Sequence, residues 1–139
     1  MEVINDRVRA RTAPHINEQI DAEIRRDLRR VAAQREPAIS RRIAELDDEW
    51  DIERYLEMNA ATLALTGTLL GIFINKKFLA VPCIVLPLLF QHAVQGWCPP
   101  VPVLRRRGIR TRKEIDAEKY ELKALRGDFA DRGANGAVI

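Results

Sequence analysis

The 139-residue sequence is short of the residues that build most active sites: two cysteines, two histidines and a single serine, Ser40. Two Cys and two His scattered along the chain make no metal-ligand spacing, which leaves no basis for expecting a metal or other cofactor. Ser40 lies in a charged stretch with no base near it in sequence, and no phosphate-binding or dinucleotide glycine pattern occurs. Cys83 and Cys98 suggest no disulfide framework. Charge of one sign is lacking too. Lys plus Arg (23) nearly balances Asp plus Glu (20), so nothing argues for nucleic acid. The opening residues Met1 to Arg7 lack the basic start and apolar core of a signal peptide, so membrane insertion, if any, falls to internal segments.

What is present is a segregation. Between Asn59 and Gln95 the only charges are Lys76 and Lys77, while both flanks are dense in Arg, Asp and Glu. That distribution predicts an all-α chain: a two-helix transmembrane hairpin over residues 55–98, flanked by amphipathic cytoplasmic helices. The first span, about 56–75, is near the lower length limit; the second, about 78–97, carries no charge beyond a proton on His92. Pro82 and Pro87 are tolerated in a membrane helix whose neighbours satisfy the freed carbonyls. Arg41, Arg42 and Arg54 precede the hairpin and Arg105, Arg106, Arg107, Arg110, Arg112 and Lys113 follow it, so both termini are expected in the cytoplasm. Trp50, Tyr55 and Trp97 fall at that boundary, where amphipathic rings settle.

Before the hairpin, residues 1–54 read as two amphipathic helices. Thr12 or a neighbour caps the first, with Pro14 in its opening turn and a stripe of Ile16, Ile20, Ile24, Leu28 and Val31. After Pro37 a second stripe follows in Ile39, Ile43, Leu46 and Trp50. These stripes favour packing together, or on a second copy, over lying on the membrane, because acids interrupt the polar faces. Residues 99–139 give a Pro-rich exit that cannot continue a regular helix, then a helix at about 112–126 opened by a Thr111–Glu114 capping box. Ile115, Leu122 and Leu125 form its apolar side, Gly127 stops it, and a disordered tail is expected.

Three constellations stand out. Ala60, Ala64, Gly67 and Gly71 fall on one narrow arc of the first span and let another helix approach closely, within the hairpin or between two copies. Asn59, Thr62 and Thr66 on one helix and Gln91, His92, Gln95 and Cys98 on the other predict an inter-helix hydrogen-bond cluster, either a relay around His92 or simple glue. Cys98, at a helix end near arginines, is either a reactive thiol or a packed residue at a chain break; the negative end of the helix dipole opposes the thiolate.

The run Gln91-His92-Ala-Val-Gln-Gly96-Trp97-Cys98-Pro99 with Gly108-Ile109-Arg110-Thr111 resembles the ending of the YgaP-like inner-membrane domain family, of unknown function and found alone or fused behind a rhodanese (sulfurtransferase) domain. The resemblance covers roughly Asp51 to Thr111. It implies a bacterial inner-membrane hairpin that dimerises through its membrane helices, and it draws attention to Cys98. No rhodanese domain is present, so sulfur transfer would need a sulfurtransferase partner. The reading that follows is a small, non-enzymatic, self-associating membrane hairpin. Its rivals are a thiol-dependent sulfur or redox accessory using Cys98, and a soluble helical oligomer that buries the apolar segments between copies.

Overall fold

The computed structural model describes residues 6–129, and the expected disordered tail lies largely outside them. All regular structure among the described residues is helical, with no strand: α1 (Arg7–Ala10), α2 (Pro14–Ala32), α3 (Glu36–Asp48), α4 (Ile52–Phe73), a 3-10 turn (Lys76–Leu79), α5 (Ala80–Gln95), α6 (Val101–Arg106) and α7 (Arg112–Arg126). The chain is all-α, in two parts of opposite character.

The first part is a module of α2, α3 and α7 around a shared core. Each helix contributes the face its periodicity marks: Ile16, Ile20, Ile24, Leu28 and Val31 from α2, Ile39, Ile43 and Leu46 from α3, Ile115 and Leu122 from α7. The stripes therefore pack on one another, since buried apolar area outweighs what charged faces gain at a membrane surface. Two expected members are absent. Trp50 lies beyond the end of α3, tilted against Tyr55 with the Arg54 guanidinium 4.4 Å above its ring. Leu125 is exposed, one position off the seam that Ile115 and Leu122 follow.

The second part is the hairpin, α4 against α5 through the 3-10 turn. The small-residue arc makes its seam. Gly67 and Gly71 are buried, and a Cβ at Gly67 would stand 2.8 Å from both Pro82 Cδ and Val81 Cβ. Ala60 is buried and Ala64 half-buried on the same side. Pro82 sits in the first turn of α5, where no N–H is required, so only Pro87 interrupts the helix interior. Outward from the seam, large apolar side chains stand uncovered: Leu65 (63% exposed), Ile72, Phe73 (80%), Ile84 and Phe90 (72%). Two helical stretches, within Glu36–Phe73 and over Lys76–Gln95, are long and apolar enough to cross a membrane, and little of their apolar windows is buried, 22% and 11%.

The parts join through a smaller cluster of Val8, Ile52, Leu56, Cys98 and Val101. Two short helices missing from the sequence reading hold it together. Asp6 caps α1, its carboxylate accepting from the N–H groups of Val8 and Arg9 at 3.0 Å. At the Pro-rich exit, Pro102 lies in the opening turn of α6, where proline initiates a helix as readily as it ends one. Thr12 does not cap α2. Its hydroxyl turns back to the Val8 carbonyl at 2.8 Å, and the α2 N-cap is Ala13 with no side-chain bond.

Candidate functional site

The arginines after the hairpin divide into two kinds. Arg106 and Arg107 are exposed, whereas Arg105 and Arg110 are buried. Arg105 donates to both oxygens of Glu114, Nη1 to Oε2 at 2.6 Å and Nη2 to Oε1 at 2.8 Å, and both side chains are fully buried. Its remaining donors reach Asn17 Oδ1, Thr12 Oγ1 and the Ile109 carbonyl. Glu114 also accepts from Arg9, at 2.7 Å, and from the Thr111 backbone N–H, at 2.9 Å, completing the capping box. One helical step along α7, Glu118 accepts from Arg42 at 3.0 Å and from Arg110, which also grips Glu49. Two of the six cations counted toward a cytoplasmic C-terminus thus pair inside the protein. The rule that counted them responds to composition and cannot see a partner nine residues away.

Burial opposes the Glu114 charge, but the Arg105 hydrogen bonds and charge, the Thr111 N–H and Arg9 outweigh it and hold the carboxyl below its usual 4.5. The folded protein therefore binds this proton more weakly than the unfolded chain. The resulting stability is complete above the unfolded value and drains as pH falls through it toward the lowered one. Thermal melting followed by circular dichroism from pH 7 to pH 4 should show a falling midpoint below about pH 5, and Glu114→Gln should flatten it. A wild-type profile flat over that interval would contradict the assignment.

The expected polar cluster does not form between the spans. Asn59 and Thr62 are exposed and donate to carbonyls one turn back in α4, Tyr55 O at 2.7 Å and Met58 O at 2.8 Å. A short polar side chain on a helix finds its own i−4 carbonyl nearer than any neighbouring helix. Gln95 is exposed and Gln91 half-buried; among the described residues no hydrogen bond joins either to α4. Thr66 is exposed as well.

His92 departs from that set. It is 7% exposed and turns to the base of the hairpin, where α1, α4, α5 and the start of α7 enclose a cleft of about 610 Å³. Its lining includes Asp6, Arg7, Glu53, Glu57, His92 and Arg112. Asp6 is committed, accepting from the Thr111 hydroxyl at 2.5 Å as well as capping α1. Arg7 donates to the Ala93 carbonyl, one of the free acceptors in the last turn of α5. By contrast, Glu53 Oε2 and His92 Nδ1 are buried with no hydrogen-bond partner, a condition costing about 1–3 kcal/mol for each polar atom. Glu53 and Glu57, four residues apart and on one face of α4, are the readable signal that the sequence analysis passed over.

Gly96 fixes the cleft's geometry. It ends α5 in the left-handed conformation (φ 72°), and a Cβ there would lie 2.5 Å from Arg7 Cβ and 2.7 Å from the Arg7 carbonyl carbon. Cys98, two residues on, is 6% exposed and lines an apolar cavity of about 290 Å³ with Leu56, Ala60, Leu63 and Leu88. Burial pushes its thiol up, away from the thiolate that nucleophilic or sulfur-carrying chemistry requires. Among the described residues, no group of His, Cys, Asp and Glu is arranged to hold a metal ion.

No family model, curated protein or solved structure matches the chain. The glycines and threonine of the motif after the hairpin have visible local duties here: Gly96 as left-handed cap, Gly108 (φ 81°) as a turn and Thr111 as N-cap.

Proposed function

We propose that this chain is a small, non-enzymatic membrane protein whose α4–α5 hairpin crosses a bilayer and holds the helical module at one surface. One observation carries the reading: apolar side chains face inward in the module and outward in the hairpin. Outward Leu, Ile and Phe over two antiparallel helices cost hydration in water and nothing in hydrocarbon. The 16 uncharged residues of α4 from Met58 to Phe73 reach about 24 Å at 1.5 Å per residue, at the short end for a hydrocarbon core of about 30 Å.

Exposed Arg106 and Arg107 support a cytoplasmic placement of the module, with Lys76 and Lys77 at the far turn. That is the arrangement of a bacterial inner-membrane protein with both termini inside. Self-association would use the outward faces of Leu65, Ile72 and Phe90, since the glycine arc is occupied within the hairpin. The same faces would be the contacts of the rival soluble oligomer. The buried, poorly ionised Cys98 gives the thiol-dependent alternative no support.

Alkaline carbonate extraction of membranes from expressing cells decides the reading. The chain should stay in the pellet and be released by detergent, and a cysteine introduced by Lys77→Cys should react with an impermeant maleimide from outside. Release by carbonate would overturn membrane integration, and labelling only after lysis would overturn the topology.

A further inference from the structure

Resting on the membrane reading above, we infer that the cleft at the hairpin base binds the headgroup of a primary-amine phospholipid, a phosphoethanolamine. At this depth an occupant comes from the headgroup layer, because the cleft lies where α5 ends and α4 begins. Its two unpartnered buried atoms are Glu53 Oε2 and His92 Nδ1: a carboxylate only accepts, and Nδ1 accepts in the tautomer that carries its proton on Nε2. Glu57 adds a second carboxylate to the lining. An ammonium group brings three N–H donors, the complement of acceptors in this lining.

The other half of the lining is basic. Arg7 donates one Nη to the Ala93 carbonyl, Lys113 lies beside it in the lining, and Arg112 is exposed, its ion pair among the described residues being with Asp116 at 3.3 Å. Guanidinium groups match phosphate oxygens. Carboxylates beside arginines, with Val8, Leu89 and Ala93 as an apolar wall, thus complement a zwitterion with a hydrocarbon attachment. A choline headgroup carries the same charges but no N–H, and a glycerol headgroup carries phosphate without an ammonium. The site should reject both relative to ethanolamine.

Native mass spectrometry of the full chain in detergent, mixed with equimolar phosphatidylethanolamine, phosphatidylcholine and phosphatidylglycerol, tests this. Retention of the ethanolamine lipid should exceed that of the choline lipid by about tenfold, the factor that one charge-assisted hydrogen bond supplies. Glu53→Gln, close in shape, and His92→Phe, which removes the acceptor, should each bring the ratio near parity while circular dichroism shows an unchanged fold. Equal retention of all three lipids by the wild-type chain overturns the inference whatever the variants do, as does full preference in a folded Glu53→Gln protein. Displacement of the lipid by equimolar soluble O-phosphoethanolamine overturns the lipid source in favour of a small zwitterion. Carbonate extraction is scored separately: a carbonate-resistant chain without headgroup preference removes the site and leaves the anchor standing.

Discussion

Glu114→Ala is expected to cost about 3–5 kcal/mol, because it strands a fully buried guanidinium. Arg105 has no exposed surface through which water could replace the carboxylate, and its other partners are neutral oxygens. The same substitution removes the capping-box bond to the Thr111 N–H and one of the two acids that hold Arg9. A thermal midpoint lower by about 10 °C or more should follow in detergent. Arg105→Met with Glu114→Leu separates charge from shape. Replacing both partners with apolar residues of similar size removes the desolvation cost along with the attraction, so the double variant should recover most of the loss. A double variant as unstable as Glu114→Ala would show that geometry, not charge pairing, is what Glu114 contributes.

Half of this fold is legible from periodicity, and the reason is local. Ile16 to Val31 and Ile39 to Leu46 repeat at helical spacing because each helix buries one stripe, and Thr111 with Glu114 caps α7 as its spacing announces. The apolar hairpin is legible for the same reason, as runs of residues with one preferred solvent. Pairings across sequence are another matter. Arg105 with Glu114, Arg42 with Glu118 and Arg9 with Asp21 join positions 9, 76 and 12 residues apart, and nothing in composition distinguishes a buried arginine from one facing lipid. The polar residues of the spans misled in a related way. Asn59 and Thr62 carry the chemistry of an inter-helix bond, but a carbonyl one turn below satisfies each first. His92 has no such neighbour for Nδ1 and lines the cleft at the hairpin base, whereas Asn59 and Cys98 of the expected cluster line the separate apolar cavity.

Gly96→Ala is the second large effect, and it separates conformational strain from steric contact. Any side chain at φ 72° costs about 1–2 kcal/mol. At Gly96 the new methyl would also press on Arg7 Cβ and on the Arg7 backbone, which cannot withdraw as a flexible side-chain tip can. Gly108 is the matched control, with φ 81° and nothing within 4 Å of its would-be Cβ. Lifting α1 away from α5 is the cheapest relief of the contact, and α1 carries Val8, which packs in the cluster that covers Cys98. The thiol therefore reports the displacement. In a Cys83→Ser background, labelling of Cys98 by a thiol reagent should be slow in the parent chain and faster by about tenfold or more with Gly96→Ala, the factor corresponding to a docking loss of about 1.4 kcal/mol. Gly108→Ala should lower the melting midpoint through strain alone and leave the labelling rate near the parent's. Equal acceleration by both alanines would mean that Cys98 is exposed by general loosening and that α1 is not held through the close approach at Gly96.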